Sequence, residues 1–360
     1  MPADGRSAKI RDVAEAAGVS PTTVSHTFSG RRRIAEPTRQ KVLKAARSLG
    51  YVPNAHARKL RLGTSGMIGL ALRPRSVYAG EPDAAETFNR LAGSSATEAL
   101  RRGLGLVHVP DLDEDGANLV PMDGCIIAHP CAGDRTVERF TAIGLPFVLI
   151  DPDPSRPELP WRVGADYGRG IRDALEAASG GGAREVTLLV GSEPNAWNLT
   201  ARAEHAAHAH RHGQAERAGH SSDENNERDA SGNDAKTGPT VFELGESLTV
   251  DDVRDVVEQA LEQIHPPAAI VYSTSDSTPI VLQAIHERGL RVPDDISLAA
   301  LTDTVHTRTA QPPVTGLDLA HEQVASAAVE LLLRRIAGDG PPVGPVRIEP
   351  TLTRRASTAF

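Results

Sequence analysis

Aromatic side chains are scarce: Phe, Trp and Tyr together make up 3% of the chain, too few for the stacking platforms that single-stranded nucleic acid requires. Cysteine is nearly missing. Cys125 and Cys131 are the only two, which excludes a disulfide framework and a four-thiolate metal centre. No apolar run approaches the roughly 18 residues of a membrane span; IGLPFVLI (143–150) is among the longest. The opening MPADGRSAKIRD lacks the apolar stretch of a secretory leader, so a cytoplasmic location is expected. Catalytic patterns are absent too. There is no nucleophile elbow, no HExxH and no nucleotide fingerprint, and GGG at 180–182 is not followed by the Lys-Ser/Thr of a phosphate loop. No enzyme activity, no cofactor and no metal are expected.

What is present begins with length. A chain of 360 residues is enough for two or three domains with a sizeable core. Apolar residues at 39% and charged residues at 24% are those of a globular protein. The net charge of −8 conceals an asymmetry: residues 1–62 hold 13 Lys+Arg against 4 Asp+Glu, and the remainder 26 against 43. A basic head on an acidic body suggests that the head meets a polyanion and the body does not.

The head reads as three helices. Ile10, Val13, Ala14 and Ala17 fall at i, i+3, i+4 and i+7, an apolar stripe. Gly18 follows as a left-handed stop. Ser20 is a good N-cap with Pro21 at the first helical position, and Val24, Thr27 and Phe28 form a second apolar face. A third helix is expected from about Pro37 to Leu49, with Val42, Leu43, Ala46 and Leu49 inward. Helix, glycine turn and helix in so short a span is the helix-turn-helix pattern. Its second helix would enter the major groove. Pro21, Thr22 and His26 lie opposite Val24 and Phe28 and are the candidate base readers: Thr22 can touch a thymine methyl, and His26 can donate to a purine N7 or O6. Thr23, Ser25, Arg31, Arg32 and Arg33 are better placed for phosphates. The alternative is a small three-helix bundle with a solvated charged face. Against it, spacing, turn glycine, cap and charge agree.

IRDVAEAAGVSPTTVSHTFSG (10–30) resembles the N-terminal signature of the LacI/GalR family of bacterial transcription regulators, and TRQKVLKAARSLGYVPNAHARKLRLGTSGMIGL (38–70) is similar to the family's third helix, hinge and first core strand. Thr27, Phe28 and Ser29 depart from the more usual Val or Ala, Leu and Asn. Residues 1–52 are then the DNA-binding domain, 53–64 the hinge and 65–360 the core. In the hinge, Pro53 and Asn54 would open a helix of under two turns, unstable alone in water. The resemblance implies that two such helices pair in the minor groove of an operator, with Leu60 as the wedge that unstacks a base step and Arg58 and Lys59 on the groove wall or phosphates. The other reading of this segment is an ordinary basic linker.

In the body, β-rich runs alternate with amphipathic stretches. Strands are expected at Met67–Leu72, Leu104–Val109, Gly124–Ala128, Phe147–Ile150, Val186–Val190, Val241–Leu244, Ala269–Tyr272 and Ser297–Leu301. Helices are expected over Ala84–Arg102, Tyr167–Ala178, Ala196–Arg211, Val250–Gln263, Pro279–Arg288 and Ala320–Ala337. Such alternation means parallel sheets covered on both faces, and about 300 residues of it suggests two subdomains. The resemblance, which continues through HERGLRVPDDISLAALTD (286–303), PPVTGLDLAHEQVASAAVELLLRRI (312–336) and IEPTLTRRAS (348–357), implies two lobes like those of periplasmic sugar-binding proteins, a dimer, and a cleft for a small-molecule effector, a sugar by analogy. The chain would cross between lobes near 151–166, near 303 and near 316–320. Residues 213–239 contain no Val, Ile, Leu, Met or aromatic residue and read as a surface loop.

Strand ends facing a crevice between lobes are where polar ligands bind. Asp151, Asp166, Asn198, Arg202, Ser275, Asp276 and Asp303 are candidates, and Trp197 could stack on a sugar face. The resemblance gives Arg202 and Asp303, then Asp151 and Ser275, as effector contacts, and Asp276 a structural role. Helix caps and lobe-to-lobe contacts are the competing reading for each. Tyr167 stands where the family usually has Asn, and Ala300-Leu301-Thr302 replaces its usual Gly-Tyr, so the cleft is altered. The expected function is a DNA-binding regulator, a repressor by analogy. The alternatives are a repressor without an effector, and a sugar receptor or enzyme with an incidental head. His205, His208, His210 and His212 read as a solvated helix end rather than a metal site, and Cys125 as a buried small hydrophobe.

Overall fold

The computed structural model describes residues 8–29, 32–51, 64–72, 86–110, 119–220, 240–245, 249–274 and 277–358. The chain divides into two compact units, Met1–Ser65 and Gly66–Phe360.

The first unit holds α1 (Ile10–Ala17), α2 (Pro21–Ser29) and α3 (Glu36–Ser48). Val13, Ala14, Val24, Val42, Ala45 and Ala46 form its buried core, flanked by Ile10, Ala17, Val19, Phe28, Leu49 and Tyr51. Ala45 takes an inward place expected for Leu43, which is only half-buried. Ala45, three residues after Val42, falls on the buried stripe, whereas Leu43 is turned about 100° from Val42 and lies at its edge. The Phe28 ring meets Tyr51 at 5.8 Å between centroids, so the Phe28 departure is absorbed by aromatic packing.

The second unit contains two six-stranded sheets. Lobe 1 has β1 (Met67–Ala71), β2 (Gly105–Val109), β3 (Gly124–Ala128), β4 (Phe147–Ile150), β5 (Arg162–Ala165) and β11 (Val346–Ile348), in the order β11-β5-β4-β3-β1-β2 and parallel throughout. Lobe 2 has β6 (Val186–Gly191), β7 (Thr240–Leu244), β8 (Ala268–Tyr272), β9 (Ile296–Ala300), β10 (Thr315–Asp318) and β12 (Thr351–Thr353), in the order β12-β10-β9-β8-β6-β7; only β12 runs antiparallel, against β10. GCIIA and AAIVY are buried at every position, as strands covered on both faces must be. Period-two alternation then sorts side chains between layers. Ile126, Val148 and Ile150 face α4 (Glu86–Arg101) and α11 (His321–Ile336). Cys125, Ile127, Phe147 and Leu149 face α5 (Arg135–Ile143). In lobe 2, α6 (Tyr167–Ser179) and α7 (Ala196–His220) cover one face, and α8 (Val250–Gln263) and α9 (Thr278–Glu287) the other. The short α10 (Val305–Thr309) follows β9.

Three expectations are corrected. The lobe crossings fall between β5 and α6, between β10 and α11, and between β11 and β12; the chain near Asp303 does not cross, because β9, α10 and β10 all belong to lobe 2. The helix expected to end at Arg211 continues to His220, since Gln214, Ala215, Glu216, Arg217 and Ala218 are strong helix formers. Only 221–239 of the expected loop lies outside the described residues. The histidines of α7 are a solvated end only in part: His210 and His212 are exposed, but His205 and His208 are 1% and 2% exposed. His205 Nε2 lies 2.7 Å from the Val186 carbonyl, and burial, aided by the charges of His212 and Arg211, pushes His208 down to about 4. Among the described residues no group of three potential ligands could hold a metal.

Candidate nucleic-acid interface and effector cleft

In the first unit, Gly18 closes α1 in the left-handed conformation at φ 66°, and the Val19 amide donates to Ala14 O at 3.0 Å. The turn aims the chain into α2, whose start is fixed by Ser20: Thr23 N donates to Ser20 Oγ at 3.1 Å, and the two hydroxyls lie 3.0 Å apart. Pro21 and Thr22 are exposed and His26 is half-buried, while Val24 is buried. Arg32 and Arg33 are exposed beyond its end. Thr23 is half-buried with its hydroxyl in the cap, and Ser25 is half-buried. Arg31 and the hinge residues Arg58, Lys59 and Leu60 lie outside the described residues. The outward row of short polar side chains on a capped helix, with cations beside it, is a surface that fits a groove and its phosphates.

The second unit concentrates its strain and its polar contacts where the lobes meet. Three described non-glycine residues have positive φ: His129 (51°), Asp151 (72°) and Ala320 (53°). His129 and Asp151 end β3 and β4, and Ala320 sits at the second crossing. Strained backbone of this kind persists where surrounding structure over-determines it, and it gathers at functional sites.

Asp151 is 2% exposed. Its Oδ2 lies 2.7 Å from His129 Nδ1 and accepts a 2.7 Å hydrogen bond from the Tyr167 hydroxyl. Burial pulls the His129 imidazole down, but the hydrogen bond and charge of Asp151, with the charge of Glu193, outweigh it and raise its pKa above the usual value. Burial and the Asp151 carboxylate push the Tyr167 phenol well up, so it stays a donor. The Tyr167 ring meets Trp197 edge-on at 4.8 Å. Tyr167, conspicuous in the sequence only as a departure, is thus the lobe 2 partner of a lobe 1 carboxylate. His129 gave no sequence signal beyond its place after a strand.

The other expected contacts are placed as follows. Arg202 pairs with Glu243 at 2.8 Å and donates to Gly191 O. Asn198 donates to Glu193 O at 3.0 Å and takes its own cap from Asn195 Oδ1. Asp303 is clamped by Arg355, whose two terminal nitrogens donate at 2.9 and 2.8 Å, and by Thr307 Oγ1 at 2.6 Å. These outweigh burial and hold its carboxyl below the usual range. Asp166 caps α6 through Arg169 N. Ser275 and Asp276 lie outside the described residues. Across the lobes, Ala132 N donates to Pro194 O at 3.1 Å, Cys131 bridges Asn195, and Arg90 of α4, paired within lobe 1 to Glu322, reaches the Asp303 carbonyl. Glu86 accepts from Val305 N at 2.6 Å and from Arg308 at 3.2 Å. The structure therefore brings Asp151, Tyr167 and Trp197 together, and Asn198 with Arg202 around Gly191, while Asp303 belongs to a separate cluster. Cys125 is buried as expected, and burial lifts its thiol to about 12.

Two family patterns match the chain: that of the bacterial regulatory proteins of the lacI family over residues 9–54, and that of the periplasmic binding protein-like domain over residues 176–358. Full-length relatives include an HTH-type transcriptional repressor PurR from Mannheimia succiniciproducens, 25% identical over 97% of this chain and 98% of the relative. A regulator in the aml 5'region of Streptomyces limosus is 29% identical over 99% and 97%. Among solved structures, a lac repressor dimer bound to operator and the anti-inducer ONPF superposes with TM-score 0.74 at 21% identity, covering 99% of this chain and 100% of that one. A CelR–cellobiose complex gives 0.62 at 20% identity, covering 97% and 99%. With a helix-turn-helix head ahead of a two-lobed periplasmic binding protein-like core, the chain belongs to the lacI family of bacterial regulatory proteins.

Proposed function

We propose that this chain is a non-catalytic, sequence-specific transcription regulator of the cytoplasm, which represses by binding a near-palindromic operator as a homodimer and answers to a small metabolite held between its lobes. The observation that carries the reading is α2: its start is fixed by Ser20, Val24 anchors it in a buried core, Pro21 and Thr22 are exposed, and the exposed Arg32 and Arg33 follow its other end. Base edges are read by Pro21, Thr22 and His26, and phosphates by Ser25, Arg31, Arg32 and Arg33. Arg58 and Lys59 grip the minor groove and Leu60 wedges it. Because an isolated hinge helix of this length is marginal, a change of lobe angle can decide whether it forms and so shift DNA affinity. The effector reading draws on Asp151, Trp197, Asn198 and Arg202 at strand and helix ends facing the lobe junction, with Ser275 and Asp303 as further expected contacts.

Selection of bound duplexes from a random library by the full chain tests this. A near-palindrome is expected, mirroring two-fold symmetry, and Leu60→Ala is expected to reduce both affinity and bending. Weak, sequence-blind, salt-sensitive binding to every duplex would overturn the reading. A second reading, a repressor without an effector, is favoured by one observation: Asp303 is fully engaged by Arg355 and Thr307.

A further inference from the structure

Strands β5 and β11 lie side by side with Arg347 paired to Gly164 and Ile348 to Ala165. Alternation along parallel strands therefore puts Arg162, Gly164 and Arg347 on one face of the sheet. The other face carries Val163, 1% exposed, with Val346 and Ile348 packed into the lobe 1 core. Over Gly164 stands Asp151: a Cβ at position 164 would come within 2.6 Å of Asp151 Oδ1. Oδ2 of that carboxylate is taken by His129 and Tyr167, whereas Oδ1 is buried without a hydrogen-bond partner. Asp151, Arg162, Gly164, Tyr167, Thr200 and Arg347 all line one crevice of about 220 Å³. That is smaller than the roughly 300–1,000 Å³ of sites for drug-sized molecules.

The charges are arranged unevenly around it. Arg169 and Arg172, nearby on α6, are neutralised by Glu349 at 3.0 Å and Glu204 at 2.5 Å. Arg162 donates to the Pro157 carbonyl, and among the described residues neither it nor Arg347 has a carboxylate within ion-pair distance. Guanidinium groups favour carboxylate and phosphate through paired N–H donors. A buried carboxylate oxygen with nothing to accept calls for an O–H or N–H. A neutral polyol would answer Asp151 and leave the arginines. A bare anion would answer the arginines and be repelled by Asp151. We propose that this crevice binds a small carboxylate carrying a neighbouring hydrogen-bond donor, a hydroxy- or amino-carboxylate, with Arg162 and Arg347 on its carboxylate and Asp151 Oδ1 accepting from its donor. The proposal rests on the effector reading above and names the ligand class. β5 and β11 lead into the first and third lobe crossings, so a ligand bridging them bears directly on lobe angle.

The test is isothermal titration of the full chain with L-lactate and D-glycerate as hydroxy-carboxylates, L-serine and L-alanine as amino-carboxylates, and acetate, inorganic phosphate and D-glucose as partial probes. Saturable binding of one of the first two classes is expected, with acetate and D-glucose at least about tenfold weaker, the worth of one charge-assisted hydrogen bond. Arg347→Gln, at an exposed position, should weaken the preferred carboxylate by about tenfold or more while the unliganded chain unfolds as before. Binding of D-glucose that survives Arg347→Gln, or no binding by any carboxylate, overturns the proposal. The same preparation is carried through the duplex selection. Specific DNA binding without carboxylate binding overturns this inference alone and leaves the repressor without an effector, whereas loss of specific DNA binding overturns the regulator itself.

Discussion

Tyr167→Phe isolates one hydroxyl at the lobe junction. Tyr167 is 8% exposed, its hydroxyl donates at 2.7 Å to a carboxylate that is itself 2% exposed, and phenylalanine keeps the ring and its edge contact with Trp197. A hydrogen bond to a charged group is worth about 1.5–3 kcal/mol when its loss leaves the acceptor short. The core should lose that much. Urea denaturation at neutral pH, followed by tryptophan fluorescence, measures it cleanly, because both tryptophans, Trp161 and Trp197, lie in the second unit and report its unfolding without the head. The midpoint is expected to fall with the slope unchanged. His129 shares the same oxygen, so Tyr167→Phe and His129→Gln should couple by about 0.5–3 kcal/mol in a double-mutant cycle. A loss under about 0.5 kcal/mol, the range of an ordinary surface change, or strict additivity in the cycle, would refute the idea that Asp151 joins the lobes through Tyr167 while His129 of its own lobe shares the same oxygen.

Other expectations follow from the same contacts. Gly18→Ala should destabilise the head by about 1–2 kcal/mol, the cost of a left-handed alanine, because nothing lies within 4 Å of the added methyl; circular dichroism of the full chain and operator affinity check it, and an unchanged head rules out the strained turn. His26→Ala should cost about 1–3 kcal/mol at one base position and relax preference there, whereas Arg33→Gln should weaken all sequences alike and lower the salt slope by about one; identical profiles for the two would contradict the division between readers and phosphate contacts. Core stability should peak near about pH 6.5, the ordinary histidine value. Burial, with the charges of Arg90 and His129, pushes His321 to about 4, and His208 lies at about 4 as well. Both stay neutral in the fold while the unfolded chain takes up protons, so stability falls as pH drops from about 6.5 toward 4. His129, whose pKa is raised, contributes stability that is present below about 6.5 and lost as pH rises through its folded value. Fluorescence melts across this range, with His321→Gln flattening the acid limb, check it; a featureless profile counts against both assignments.

The sequence by itself determined what local periodicity can carry. The apolar stripe from Ile10 to Ala17, the Gly18 stop and the Ser20-Pro21 start place the helix-turn-helix within one residue of its observed bounds, because each signal acts over three or four neighbours. GCIIA, FVLI and AAIVY announced buried strands through unbroken apolar runs. RVGA and VRI did not, since three or four residues with a glycine or a charge show no period, and they become strands only against neighbours already formed. Arg135–Ile143 carries its own local signals as well: Asp134 caps it through the Thr136 and Val137 amides, and Gly144 ends it. What only the tertiary structure decided is the partner of each carboxylate. Asp303 meets Arg355 across 52 residues of chain and Asp151 meets His129 across 22. Whether a charged group stands free for a ligand or is spent on its own protein depends on which distant segment is folded against it, and no spacing in the chain encodes that.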